Sequence, residues 1–269
     1  MIVCRKGVAI MGHERIGFLP HTKQWRAIVD DLSQFGDGEA SVAQITSNTL
    51  NAVKKTYEKM SYDESVIKAL SFIATLSFSA KMDNQVNFLN ENGYTVDSQI
   101  SLFSLMASAQ NYITTEHGSL ETNKLAKDAA MQAIIDYQQQ HESNQLSMFS
   151  EQSQSVWENV GTGAAFCEMV RTFFASFTER QLKYYIERAA ASSINDYDTL
   201  QAFNRQLSEQ SKAIADHTFE ISKLTQSFAA GWFNKNATDS LPSDKQIEGF
   251  LSYSFGKLRE EFRREADNR

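Results

Sequence analysis

The chain has 269 residues, 42% of them hydrophobic and 11% aromatic, a composition typical of a folded protein and not of a disordered one. Its two cysteines, Cys4 and Cys167, are too few for a disulfide framework, and no run of residues approaches the roughly 20 apolar positions of a membrane span. These two findings lead us to expect a soluble, cytoplasmic protein. The net charge of −7 argues against a protein that coats nucleic acid through a generally basic surface.

Helical patterns cover almost the whole chain. Only two prolines, Pro20 and Pro242, occur in it, and proline is the residue that most strongly breaks the interior of a helix. Residues 1–21 are the exception, and we expect a short non-helical arm there. The sequence therefore predicts an all-α fold, a multi-helix bundle of roughly ten helices.

Helix starts are indicated by Ser, Thr or Asp before apolar residues at helical spacing, in several cases with Gln or Glu three residues later as a capping box. Glycine indicates helix ends, as at Gly36 and Gly93, because it readily adopts left-handed backbone. The helix from Val66 to Ala80 is apolar on most sides, so we expect it at the centre of a bundle. The predicted helix starts are Thr22, Ser41, Ser61, Asp97, Thr178 and Ser243.

A polar stretch of low complexity divides the chain. From Gln138 to Ser155 the residues are mainly Gln and Ser, without a helical period. We predict a linker over residues 138–155. It would join an N-terminal arm and helical bundle, residues 1–137, to a C-terminal helical bundle, residues 156–269.

One long helix is predicted in the C-terminal part, from Asp196 to about Ala230. Its apolar residues recur every seven positions, as in a coiled coil, but Gln210 and His217 interrupt this seam, which favours a bundle helix over a free-standing coiled coil. A last helix follows Pro242 and is expected to fold back on the long one as an antiparallel hairpin. The seam residues are Leu200, Leu207, Ile214, Ile221 and Phe228.

Residue patterns that indicate catalysis or a bound cofactor do not emerge from the sequence. Asp216, His217 and Glu220 share one stretch of the long helix, but their order reverses that of di-iron bundles and no second copy exists. Gly161-Thr162-Gly163 offers backbone N–H groups to an anion, and a helix start packed beside Phe166 accounts for these glycines equally well. We therefore expect no metal, no cofactor and no catalytic residue.

The exception among the motifs is Gln145-Leu146-Ser147-Met148-Phe149, inside the predicted linker. This pentapeptide resembles the short peptide by which many bacterial replication and repair proteins bind the sliding clamp, with Met148 in place of the usual leucine. The resemblance implies that Gln145 anchors through side-chain hydrogen bonds, while Leu146, Met148 and Phe149 fill hydrophobic pockets. An apolar motif within a polar linker is suited to docking as an extended peptide in a groove.

Two other interpretations of the pentapeptide remain open. Leu146, Met148 and Phe149 equally suit a contact that pins the linker onto this protein's own bundle, and a partner other than the clamp is the third possibility. The sequence by itself does not decide among them.

The function we expect is non-catalytic: an interaction or adaptor subunit of a bacterial multi-protein complex, active in DNA replication, repair or antiviral defence. One alternative is direct nucleic-acid binding by the basic segment 1–29, in which Glu14 is the only carboxylate. Another is an enzyme of unrecognised type whose carboxylates meet only in the folded chain. The basic residues of that segment are Arg5, Lys6, Arg15, Lys23 and Arg26.

Overall fold

The predicted all-α fold is confirmed by a computed structural model, which describes residues 22–116, 119–142, 156–221 and 228–267. These residues form ten α-helices and two short 3-10 turns, Phe35–Asp37 and Val156–Asn159, and contain no strand. The predicted arm, residues 1–21, lies outside the described residues. The helices are α1 (Lys23–Gln34), α2 (Val42–Met60), α3 (Glu64–Ser79), α4 (Gln85–Glu91), α5 (Leu102–Ile113), α6 (Leu120–Glu142), α7 (Gly163–Ser193), α8 (Tyr197–Ile221), α9 (Ala229–Asn236) and α10 (Asp244–Asp267).

Within these described ranges, no helix has both the length and the apolar character that are needed to cross a bilayer.

Three of the predicted helix starts are confirmed by their cap hydrogen bonds. The Thr22 hydroxyl accepts from the Trp25 N–H at 3.1 Å and starts α1, and the Ser41 hydroxyl accepts from the Gln44 N–H at 3.2 Å and starts α2. At α10 the direction is reversed, because the Gln246 side chain accepts from the Ser243 N–H at 2.8 Å. Each bond satisfies a backbone donor that the helix itself leaves without a partner.

Other predicted starts and one predicted stop are displaced by a few residues. The cap of α3 is Asp63 and not Ser61, since the Asp63 carboxylate accepts from the Ser65 N–H at 3.0 Å. The cap of α5 is Ser101 and not Asp97, because Ser101 forms a reciprocal capping box with Ser104. After α1, the glycine in left-handed backbone is Gly38, with φ of 77°, and not Gly36.

The largest correction concerns α7, which runs unbroken from Gly163 to Ser193. The sequence predicts a new helix at Thr178, with Gln181 completing a capping box. Both residues instead lie in the interior of α7, and both are almost completely buried. Burial on a helix interior overrides the local capping pattern here.

The core is one hydrophobic cluster that includes residues from both sides of segment 143–155. α3 is almost entirely buried, as its apolar sequence predicts, and it packs against α5, α6, α7 and α10. Helices of the two predicted bundles also contact one another directly: α6 packs on α7, α1 on α7, and α2 on both α8 and α10. The division of the fold into two separate bundles therefore stays a prediction from the sequence.

The predicted long helix corresponds to α8 and the start of α9, with residues 222–227 between them outside the described part. α9 and α10 form a short hairpin, closed by Trp232 against Phe250 at 4.8 Å between ring centroids. α10 also contacts α8, but it packs most extensively against α2.

Candidate interaction surfaces

The pentapeptide Gln145–Phe149 lies outside the described residues, but the residues that flank its segment are described. α6 continues to Glu142, so the first five positions of the predicted linker, 138–142, are helical. The chain is next described from Val156, which starts the second 3-10 turn. Segment 143–155 therefore connects the end of α6 to the turn that leads into α7.

Aromatic side chains bring the two ends of this segment together. The Tyr137 ring on α6 lies 6.0 Å from the Trp157 ring in the 3-10 turn and 4.2 Å from the His141 ring. Trp157 is buried, and its carbonyl oxygen accepts a hydrogen bond from the Gln85 amide at 2.9 Å. We call Tyr137, His141, Trp157 and Glu168 the linker base, since both exits of the segment converge on them.

A polar contact to α7 completes the linker base. The His141 Nε2 lies 3.0 Å from a carboxylate oxygen of Glu168. Burial raises the pKa of Tyr137 to about 12, and the negative charge of Glu168 acts in the same direction. The buried Tyr137 phenol, in contact with the imidazole and the indole, is thus neutral over the whole physiological pH range.

The basic residues predicted to bind nucleic acid are only partly described. Arg5, Lys6 and Arg15 lie outside the described residues. Lys23 and Arg26 are exposed on α1, whose opposite face is buried against α2 and α7. The structure thus places two of the five predicted cations on the exposed face of α1.

The glycine motif before α7 has a packing role. Thr162 caps the helix, and its hydroxyl accepts from the Ala165 N–H at 3.1 Å. A methyl group on Gly163 would lie 2.9 Å from the carbonyl oxygen of Ala230, so α7 and α9 touch there through backbone. Close helix contact therefore explains Gly163 without an anion.

The metal site considered for Asp216, His217 and Glu220 gains no support from the described geometry. The side chains of His217 and Glu220 lie outside the described residues. Cys167 is buried, which raises the pKa of its thiol and keeps it protonated. Among the described residues no three His, Cys, Asp or Glu side chains are grouped so that they hold a metal ion.

A charged groove between α6, α7 and α8 is a feature that the sequence did not reveal. Its volume is about 870 Å³, and its walls carry five basic and five acidic side chains. Arg180 crosses it, donating to the Ser176 hydroxyl at 3.0 Å and to the Gln132 amide oxygen at 3.4 Å. The sequence did not indicate this groove, because the helix break predicted at Thr178 would divide the helix that forms one of its walls. The charged residues are Lys124, Asp128, Asp136, Arg171, Glu179, Arg180, Lys183, Glu187, Lys212 and Asp216.

No family model matches the chain, and no protein of curated function and no solved structure shows significant similarity to it. Function is therefore inferred from its own residues and their geometry.

Proposed function

We propose that the protein is a non-catalytic, cytoplasmic interaction subunit of a bacterial multi-protein complex, and that it docks on the sliding clamp through Gln145–Phe149. Its place would be among DNA replication, repair or antiviral defence machinery. The observation that carries the proposal is the position of the pentapeptide, within a segment whose two ends meet at the linker base. The motif is thereby attached to the folded bundle on both sides.

The lengths of chain on either side of the motif suit peptide docking. Two residues lie between Glu142 and Gln145 and six lie between Phe149 and Val156, so the two connections span three and seven Cα–Cα steps. At about 3.4 Å per extended residue these connections reach up to about 10 Å and about 24 Å, enough for a pentapeptide to enter a groove on another protein. Because both ends are anchored, docking would also orient the helical bundle relative to the clamp.

The test is a binding titration of the intact protein against purified bacterial sliding clamp. We expect binding in the micromolar range that is typical of short linear peptides, about −8 kcal/mol. The triple variant Gln145→Ala, Leu146→Ala, Phe149→Ala should abolish it, because it removes the polar anchor and two of the three apolar side chains. The matched control is Gln152→Ala, Gln154→Ala, in the same segment but outside the motif, which should bind like the wild type.

The same variants separate the two other interpretations of the pentapeptide. If it packs only on the protein's own bundle, the wild type shows no affinity for the clamp, and the triple variant lowers the thermal midpoint whereas the control does not. If it binds another partner, a well-folded wild type shows no affinity for the clamp and the triple variant unfolds at the wild-type temperature. Either result would exclude clamp docking as the role of this motif.

A further inference from the structure

A supported row of aromatic rings lies on the hairpin of α9 and α10. Phe228 and Trp232 are one helical turn apart, so they share a face, and both are half-buried. Phe250 of α10 lies behind them, 5.3 Å from the Phe228 ring and 4.8 Å from the Trp232 ring. Tyr253, 46% exposed, extends the row at 4.2 Å from Phe228. We call Phe228, Trp232 and Tyr253 the aromatic platform.

The surface above α9 is open. A cavity of about 460 Å³ is bounded by Phe228, Gly231, Trp232, Lys235 and Asn236. Apart from its chain neighbours and its own helix backbone, no atom of the described residues lies within 4 Å of the position that a Cβ on Gly231 would take, so the described surface leaves space beside the two rings for a flat group. A planar ligand has room to stack here.

A lysine lies at the edge of the same cavity. Lys235 is exposed, and none of the ion pairs between described residues involves it. Lys257 differs, because its ammonium lies over the Tyr253 ring, 5.8 Å from the ring centroid, and bonds to Glu260 at 2.8 Å. Lys235 is thus available to an anion, and Asn236 next to it is held by Trp232 and Gln246.

We propose that the aromatic platform and Lys235 bind single-stranded nucleic acid, with an unpaired base stacked on the rings and a phosphate at Lys235. Aromatic rings accept any base through its π-face, and a nearby cation neutralises the backbone charge. The occupant is a strand with unpaired bases, since rings on the surface of a helical hairpin cannot stack on a base that is inside a duplex. None of these residues belongs to Gln145–Phe149, so the proposal does not depend on clamp docking.

The charge of the protein sets the expected salt dependence. With a net charge of −7 the chain does not attract a strand along its whole surface, so one phosphate contact is expected. On single strands each neutralised phosphate contributes a slope of about −0.7 in log K against log salt concentration. We therefore expect a shallow slope near that value.

Tryptophan fluorescence provides a local readout. Trp25 and Trp157 are buried, at 3% and 2% exposure, and Trp232 is the partly exposed tryptophan. Short oligothymidylate added to the full chain should quench part of the emission in a saturable way. Trp232→Phe should remove the quenching while a labelled oligonucleotide still binds, because phenylalanine keeps a stacking ring.

Variants measured by anisotropy of that labelled oligonucleotide give the energetic test. Trp232→Ala should weaken binding roughly fivefold to a hundredfold, the usual loss for one stacked base. Lys235→Ala should weaken it severalfold and bring the salt slope towards zero. The controls are Tyr62→Ala and Tyr197→Ala, which remove aromatic rings with 67% and 69% exposure elsewhere on the surface and should bind like the wild type.

Competition experiments identify the ligand. An abasic sugar-phosphate polymer should compete poorly, because it has no base to stack, and thymidine monophosphate should bind far more weakly than the oligonucleotide. Equal competition by the abasic polymer would overturn the stacking site, and equal affinity for the mononucleotide would overturn the assignment to a strand. The proposal as a whole would be overturned if saturating oligonucleotide left the emission of Trp232 unquenched. It would also be overturned if Trp232→Ala and Lys235→Ala both kept the affinity of the wild type.

Discussion

At the scale of single residues, two glycines show how a packing constraint differs from helix propensity. Gly163 starts α7 where that helix touches α9, and a Cβ there would lie 2.8 Å from the Asn234 side chain and 2.9 Å from the Ala230 carbonyl oxygen. A backbone atom cannot move aside as a side chain does. At Gly249, on the exposed side of α10, no atom of the other described elements lies within 4 Å of the position that a Cβ would take.

Gly163→Ala should therefore lower the free energy of unfolding by about 1–3 kcal/mol, the usual cost of forcing an extra methyl into a packed contact. Gly249→Ala should raise it by about 0.4–1 kcal/mol, because alanine restricts the unfolded chain and favours helix. Urea denaturation of both variants followed by circular dichroism measures the difference. A Gly163→Ala variant as stable as Gly249→Ala would mean that α7 and α9 do not touch at this point.

At the scale of elements, α7 shows the limits of capping patterns. Thr178 is followed three residues later by Gln181, as in a capping box, whereas Thr162 is followed by Ala165, yet only Thr162 is a cap. The Thr178 hydroxyl is buried, and no hydrogen-bond partner for it is found within the described residues. A buried polar group without a partner destabilises the fold.

Thr178→Val keeps the shape of the side chain and removes that hydroxyl, so it should leave the stability unchanged or raise it. Thr162→Val removes a real cap and should lower the free energy of unfolding by about 1 kcal/mol. Thermal or urea unfolding of the two variants compares them directly. If Thr178→Val lowered the free energy of unfolding as much as Thr162→Val does, α7 would have a break at Thr178.

At the scale of the whole molecule, the two halves of the chain share a core. The Trp25 ring lies 6.1 Å from the Tyr185 ring, and the Phe35 ring lies 5.0 Å from the Phe203 ring. Lys81, at the end of α3, donates to the carbonyl oxygen of Ala237 at 2.6 Å and lies over the Phe233 ring. These contacts join parts of the chain that precede and follow segment 143–155.

Cutting that segment should accordingly leave the halves associated. A protease site in place of residues 151–154, outside the pentapeptide, allows the folded protein to be nicked once. We expect the two fragments to elute together in size-exclusion chromatography, because their shared apolar surface remains buried. They should separate only in denaturant. Separate elution under native conditions would mean that the predicted bundles are independent domains.

The sequence determined the helical class, the starts of α1, α2 and α10, and the central place of α3. Caps and amphipathic faces depend on residues within about four positions of one another, so they can be recognised from short stretches of sequence. The pentapeptide could be recognised for the same reason, because it is a pattern of five consecutive residues.

Only the tertiary structure decided the continuity of α7, the linker base and the aromatic platform. Thr178 and Gln181 have the sequence of a capping box, and only their burial shows that the helix continues. Tyr137 and Trp157 meet across segment 143–155, and Phe228 meets Phe250 across the α9–α10 hairpin. Such contacts arise when helices pack, and packing selects partners by shape among residues far apart in the chain, which no local pattern encodes.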